Sequence, residues 1–440
     1  VLIFTVVLQP IFKDGDYMTF NKKVWSWALY DWANSAFSCT IVAGFFPIFF
    51  EKFWSNPDDV IQSTFQLGIA NSVSSIIIAI LSPILGAIAD RGSARKKFLF
   101  TFAFLGAVMT GSLFFLNQGQ WQFAIVIYIL ASVGFMGGNI FYDSLLPNLV
   151  EKDKVDYVSL LGYALGYLGG GLLFLVNVLM YLYPDWFGIE DSTMAIRISF
   201  VTVGIWWATF SLPMFIFVPE QKVENSVPFF QATRIGFVEL KKTFRRIKKM
   251  KTVVVFLSAY WLYIDGVDTI IKMAVKIGSS LGFETSDLIT ALLMAQFIAF
   301  PSALLYNWFS KRIGVKNAVF IAIFGYALAT FLAFFMETRI HFFCLAALIG
   351  IFQGGIQALS RSLFTRLIPK NREAEFFGFY NMLGKFASVI GPFLIGWITL
   401  LTGNIRFGIL SILVLFISGG FLLSKVNFKK GEEEALNFEK

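Results

Sequence analysis

The chain has 440 residues, of which 57% are hydrophobic and 15% charged, and its formal net charge is +8. Soluble domains contain about 25% charged residues, so the composition excludes a soluble globular protein and indicates a membrane protein with many spans. The chain has two cysteines and one histidine, which rules out a disulfide framework and gives no basis for a metal centre or other cofactor.

Twelve apolar runs of about 20 residues follow one another along the chain, each long enough to cross a membrane as a helix. They lie near residues 24–50, 65–89, 98–116, 121–141, 158–183, 194–218, 253–275, 286–309, 317–336, 340–358, 376–401 and 405–425. The apolar stretch that precedes them is too short to span a membrane. Residues 1–17 are therefore left unassigned, and Met18 is the expected biological start.

Lysine and arginine are concentrated in every second connection between the runs. The basic connections contain Arg91, Arg95, Lys96 and Lys97; Lys152 and Lys154; Lys311, Arg312 and Lys316; and Arg366, Lys370 and Arg372. The positive-inside rule then predicts a multi-pass protein with both termini in the cytoplasm. The net positive charge is explained by this topology, so no nucleic acid is expected as a partner.

The longest connection, residues 219–252, is strongly basic and divides the predicted helices six and six. Its apolar residues Phe237, Leu240, Phe244 and Ile247 recur at helical spacing, which predicts an amphipathic helix on the anionic leaflet. A regulatory docking site is the alternative.

The two halves of the chain repeat each other at a shift of 218 residues. This shift aligns Ser144 with Ser362 and Gly166 with Gly384. We therefore predict an all-α membrane protein of two six-helix bundles, residues 18–218 and 253–426, related by a parallel pseudo-twofold axis. Residues 427–440 form a cytoplasmic tail.

Two of the predicted helices contain a stripe of polar side chains at helical spacing. The stripe of the first run is Asp31, Asn34, Ser35 and Ser38, and that of the seventh is Asp265, Asp268, Thr269 and Lys272. A carboxylate facing lipid costs at least about 2.5 kcal/mol at the helix centre, so we expect Asp31 and Asp265 to face one aqueous cavity between the halves. Structural hydrogen bonds between helices are the alternative.

A second polar set occurs in the tenth and eleventh runs. Its members are Gln353, Gln357 and Arg361, followed by Asn381 and Lys385. Lys385 is predicted to lie roughly 14 Å from the membrane edge, which requires a counter-charge or an anionic ligand. An ion pair with Asp265 or Asp268 is as compatible with the sequence as a contact with substrate.

The 218-residue shift also places an acid opposite a base. Asn139 aligns with Gln357, and Asp143 aligns with Arg361. We predict that Asp143 and Arg361 pair, directly or through Asn139 and Gln357, as a gate on the cytoplasmic side. Alternatively, Asp143 only caps the loop that follows it, and Arg361 is basic only because it lies at the cytoplasmic end of its helix, as the positive-inside rule predicts.

One pattern imitates a nucleotide site. Gly378 followed by Gly384 and Lys385 resembles a phosphate loop, but five residues intervene instead of four and Phe386 replaces the required hydroxyl residue. No nucleotide is expected as a partner.

The connection GAIADRGSARKK resembles the loop signature of the major facilitator superfamily through Gly86, Asp90, Arg91 and Arg95, although Gly92 comes one position early and Arg95 one or two late. That resemblance implies that the loop caps the second helix against the eleventh. WALYDWANSAF and the segment from Ile351 to Pro392 resemble the vacuole-effluxer-like branch, whose fungal members are associated with amino-acid release. The resemblance implies a twelve-helix alternating-access carrier, here in a bacterial inner membrane.

These observations predict a secondary active transporter of small polar solutes, amino acids or related metabolites, that is coupled to protons. Asp31, Asp265 and Asp268 are the candidate proton carriers, assisted by Asn34 in the cavity. The candidate substrate ligands are Ser35, Gln353, Gln357, Asn381 and Lys385, with Arg361 as a further partner for a carboxylate. A lipid or lysolipid translocator and a non-transporting sensor or scaffold remain as alternatives. No enzymatic activity is expected, because no nucleophile, base and oxyanion set can be assembled.

Overall fold

The computed structural model describes residues 21–56, 60–220, 247, 250–280, 282–386 and 390–438. The predicted N-terminal extension and most of the predicted amphipathic linker helix lie outside the described residues.

The first half contains six long helices, which match the first six apolar runs. They are α1 (Lys22–Trp54), α2 (Val60–Gly92), α3 (Arg95–Ser112), α4 (Trp121–Leu145), α5 (Val155–Leu182) and α6 (Ser192–Phe217). The side chain of Asn21 accepts the N–H of Lys23 and so caps the start of α1. Farther along, α1 widens into π turns over Phe37–Phe45.

The second half repeats this arrangement. Its helices are α7 (Lys251–Ser280), α8 (Thr285–Ile313), α9 (Val315–Ala333), α10 (Arg339–Thr365), α11 (Glu373–Phe386), α12 (Ile390–Thr402), α13 (Ile405–Lys425) and α14 (Phe428–Leu436). In the described part of the chain, eleven helices are long and apolar enough to cross a membrane. The eleventh predicted run is covered by α11 and α12, on either side of residues 387–389, which lie outside the described residues. The described helices confirm the predicted all-α fold of two bundles.

The two halves are joined at the end of the molecule where the basic connections meet, which we call the basic end. Asp90, near the end of α2, accepts hydrogen bonds from the main-chain N–H groups of Ala374 and Glu375 at the start of α11 (3.1 and 2.9 Å). Arg95 donates to Asp90 (2.8 Å) and to Glu373 (2.6 Å). One buried arginine therefore bridges α2 and α11 across the halves.

Gly86 allows this close approach of α2 to α11. A Cβ atom at this position would lie 2.3 Å from the main-chain oxygen of Ala374. Of the predicted loop signature, Gly86, Asp90 and Arg95 contact α11 directly, whereas Arg91 lies half-buried at the end of α2.

The predicted C-terminal tail contains the short helix α14, which packs against the second half at the basic end. Glu434 accepts hydrogen bonds from the main-chain N–H and the hydroxyl of Thr252 at the start of α7 (3.1 and 3.2 Å). Phe438 packs against Phe376 of α11. The tail thus contacts both α7 and α11.

Candidate functional site

A buried charge cluster lies where α10 meets the first half. Arg361, near the end of α10, donates from Nη1 to Asp143 of α4 (3.0 Å) and lies 3.5 Å from Asp31 of α1. Its Nε and Nη2 donate to the hydroxyl and main-chain oxygen of Ser159 on α5 (both 2.9 Å). The arginine is 2% exposed, and all three of its side-chain nitrogens contact the opposite half.

Aromatic rings surround the guanidinium. Its carbon lies 4.4 Å from the ring centre of Tyr163, 5.0 Å from that of Trp27 and 5.5 Å from that of Tyr142. Such distances permit cation–π attraction, which is strongest where water is excluded. The rings compensate part of the hydration that Arg361 loses on burial.

Asp31 is held in place by groups of its own half. Tyr142 donates its hydroxyl to Asp31 Oδ2 (2.8 Å) and stacks on Trp27 at a centroid distance of 4.3 Å. Trp27 in turn donates its indole N–H to the main-chain oxygen of Tyr142 (3.1 Å). Gly162 faces the group, because a Cβ atom there would lie 2.7 Å from Asp31 Oδ2.

The predicted gate residues are brought together in part. The contact expected between Asp143 and Arg361 is present and direct, and the two residues are separated by 218 positions in sequence. Residues at equivalent positions of two repeats can touch only near the axis that relates them, so the pair lies close to the pseudo-twofold axis. Asn139 and Gln357 do not mediate this contact: Asn139 accepts from Asn34 (2.7 Å), and Gln357 accepts from Tyr167 (3.1 Å).

Polar side chains from both halves are partly exposed within the membrane-spanning segments near this cluster. Asn381 of α11 donates to Asp143 Oδ2 (3.3 Å), and Ser35 of α1 lies beside Gly166 of α5. The partly exposed set comprises Ser35, Asn139, Asp268, Gln357 and Asn381, whereas Gln353 is buried.

The charges of the cluster do not cancel. Asp31 and Asp143 share one guanidinium, which leaves one negative charge in excess among these three groups. An unbalanced buried charge is costly. Within these three groups, a proton on one carboxylate would restore neutrality.

The prediction that Asp265 faces the cavity is wrong. Its carboxylate is fully buried and accepts the main-chain N–H groups of Ile390 and Gly391 (3.1 and 3.0 Å) and the hydroxyl of Thr269 (3.2 Å). All three donors belong to the same half as Asp265. Asp265 is thus buried among the described residues and bonded to main-chain groups of the second half.

The other predicted carboxylate of α7 is placed differently. Asp268 is partly exposed. The side chain of Lys385 lies outside the described residues, as does any ion pair it makes.

Four residues of the site were not singled out from the sequence: Tyr142, Ser159, Tyr163 and Asp156. Asp156 at the start of α5 accepts from Arg366 (2.8 Å) and from Ser362, which adds a further contact between α5 and the end of α10. Tyr142 directly precedes Asp143, but a tyrosine within an apolar run is ordinary, and no sequence signal connects it to Asp31.

A model of the vacuole effluxer Atg22-like family matches residues 60–436. The chain belongs to this family. An uncharacterized MFS-type transporter of Bacillus subtilis, YxiO, is 37% identical over 92% of this chain and 95% of its own length. Autophagy-related protein 22 of Saccharomyces cerevisiae is 27% identical over 84% of this chain and 77% of its own length.

The fold has solved relatives of low sequence identity. The proton:xylose symporter XylE of the major facilitator superfamily superposes with a TM-score of 0.69 at 14% identity, over 94% of this chain and 97% of its own. The family and the fold together identify this chain as a multi-pass membrane transporter of the major facilitator superfamily.

Proposed function

We propose that the protein is a proton-coupled secondary active transporter of small polar solutes, amino acids or related metabolites. The observation that carries the proposal is the position of Arg361, a cation of one half that is buried between two carboxylates of the other. A carrier that works by alternating access must break contacts between its halves in each cycle. A buried ion cluster at that boundary couples such a movement to the charge state of its members.

The chemistry of the surrounding side chains favours a polar solute. Amide, hydroxyl and carboxylate groups from both halves are partly exposed within the spans, at Ser35, Asn139, Asp268, Gln357 and Asn381. An amino acid has both an ammonium and a carboxylate, and groups of this kind can bond to either. Arg361 is less suited to bind the substrate carboxylate in this conformation, because all three of its nitrogens already have partners.

We further propose that the basic end faces the cytoplasm and that residues 18–218 and 253–426 are the two moving bodies. The lysines and arginines of the connections support this orientation through the positive-inside rule. In that orientation the contacts of Asp90, Arg95 and Arg361 close the cytoplasmic side. The structure would then represent the outward-facing part of the cycle.

The test is binding followed by transport. Purified protein is screened by thermal shift against single amino acids, short peptides and lysolipids; a ligand at 100 times its dissociation constant stabilises by about 2.7 kcal/mol. We expect stabilisation by at least one amino acid, and uptake of that compound into proteoliposomes that increases with an imposed pH gradient. Stabilisation by lysolipids alone would indicate lipid translocation. Uptake that does not change with the imposed pH gradient would contradict proton coupling.

A further inference from the structure

We propose that Asp143 binds the coupling proton and that Asp31 remains bonded within its own half throughout the cycle. This inference rests on the proton-coupled transport proposed above and assigns the step to a carboxylate that the sequence suggested only as part of a gate.

The two oxygens of Asp143 both have partners from the opposite half. Oδ1 accepts from Arg361 of α10 (3.0 Å), and Oδ2 accepts from Asn381 of α11 (3.3 Å). Asp143 is 7% exposed, so these two partners replace the water that a carboxylate requires. When the halves separate at the basic end, Asp143 loses both.

Asp31 has a different set of partners. Its nearest contact is the hydroxyl of Tyr142 (2.8 Å), which belongs to the same half and is fixed by stacking on Trp27. Arg361 lies 3.5 Å away, at a longer distance than from Asp143. Separation of the halves therefore leaves Asp31 with its strongest hydrogen bond.

This difference determines which carboxylate responds to pH. Arg361 binds ionised Asp143 more strongly than neutral Asp143, so closure of the basic end competes with proton binding. A proton on Asp143 removes the charge that attracts Arg361, and the halves can then separate without leaving an ionised Asp143 that has lost both of its partners. Loss of the proton restores the attraction and closes the end again.

Charged and titratable groups lie near Asp143 on its own helix and on three others. Among the described side chains these are Tyr142 of α4, Tyr30 and Asp31 of α1, Tyr163 of α5 and Arg361 of α10. Lys385 follows Asn381 by one turn on α11, and its side chain is outside the described residues. Arg361 is the one cation in this described set that contacts both carboxylates.

The experiment measures the opening of the basic end directly, without a substrate. Spin labels are attached to the variant Lys152→Cys/Lys370→Cys, because both lysines are exposed and lie in the α4–α5 and α10–α11 connections. Exposed Cys344 is replaced by Ser, while buried Cys39 is left in place. Distances between the labels are recorded in vesicles from mildly alkaline to mildly acidic buffer.

In the labelled protein that is otherwise native, the molecules with a long distance between the labels should increase relative to those with a short distance. We expect this population ratio to rise at least roughly fivefold on acidification. In Asp143→Asn the long distance should dominate at every pH, and in Asp143→Glu the pH response should return. The matched controls Asp31→Asn and Asp268→Asn should retain a pH response. A response that survives Asp143→Asn, or one that disappears in Asp31→Asn, would overturn the assignment, as would no response in the native protein.

An infrared measurement keeps the test decisive if Asp143→Asn does not fold. The carboxyl C=O band that appears on acidification should shift in Asp143→Glu and stay in place in Asp31→Glu; the reverse would overturn the proposal.

Transport measurements distinguish a failure of this inference from a failure of the proposed function. If native protein shows pH-driven amino-acid uptake that persists in Asp143→Asn, the assignment alone fails, whereas absence of pH-driven uptake in the native protein refutes proton coupling itself.

Discussion

At the scale of single residues, burial decides how much each contact contributes. Arg361 and Asp143 are both nearly inaccessible, and removal of one partner from a buried pair costs about 3–5 kcal/mol, because the other charge is left uncompensated. An exposed pair of the same geometry contributes about 0–1 kcal/mol. The cluster at Arg361 is therefore where small changes should have large effects.

Gly162→Ala tests the packing around Asp31. The added Cβ would lie 2.7 Å from Asp31 Oδ2, 2.9 Å from the Tyr142 hydroxyl and 3.0 Å from Trp27. We expect a loss of about 1–3 kcal/mol in the free energy of unfolding and reduced transport, measured by thermal unfolding and proteoliposome uptake. The control is Gly111→Ala, also within a helix, where the added Cβ meets nothing within 4 Å. Equal stability of the two variants would contradict the tight packing described here.

Asp265→Ala tests the corrected role of that carboxylate. The substitution leaves the N–H groups of Ile390 and Gly391 without their acceptor. We expect the free energy of unfolding to fall by about 0.5–2 kcal/mol. Transport by the variant protein that still folds should continue to depend on an imposed pH gradient. A variant of normal stability that has lost pH-driven transport would instead return Asp265 to the coupling mechanism.

At the scale of helices, the sequence predicts which residues share a helix face better than it predicts which residues they contact. The polar stripe of α1 contacts α4 and α10 largely as its spacing indicates, through Asp31 and Asn34. The stripe of α7 was misassigned because Asp265 bonds to the main-chain N–H groups of Ile390 and Gly391, inside an apolar run that reads as continuous from residue 376 to 401. Periodicity shows which residues share a face, but the main-chain groups that a side chain bonds to have no signature in hydropathy.

The bridge between α2 and α11 is tested by Arg95→Met. This change leaves Asp90 and Glu373 buried without their common cation, which should cost about 3–5 kcal/mol. We expect the basic end to open, and thermal unfolding to occur at lower temperature. Adding Glu373→Gln should recover part of the loss, since one uncompensated charge is then removed. A double variant as unstable as the single one would show that Glu373 does not depend on Arg95.

The contact of α14 with α7 is tested by Glu434→Ala. Glu434 accepts both the N–H and the hydroxyl of Thr252, so its removal should lower the unfolding free energy by about 1 kcal/mol. Glu433→Ala is the matched control on the exposed face of the same short helix. Identical unfolding curves for the two variants would argue against docking of the tail.

At the scale of the whole molecule, the fold follows from hydropathy, charge and the internal repeat. The apolar runs, the basic connections and the 218-residue shift predict two six-helix halves, and the repeat places Asp143 opposite Arg361. The contacts of Tyr142, Ser159 and Tyr163 could not be predicted, because they depend on how the helices rotate and cross once packed. The sequence therefore predicts the contact that the internal repeat determines, whereas the other contacts of the site are known only from the structure.

The central claim is that Asp143 and Arg361 join the halves in one conformation and part in the other. Charge exchange tests it most directly, by measuring amino-acid uptake into proteoliposomes for Asp143→Arg, Arg361→Asp and the double variant. The account predicts that each single variant loses most transport and that the double variant recovers part of it, since the pair is restored with its charges exchanged. Losses that simply add, with no recovery in the double variant, would contradict it.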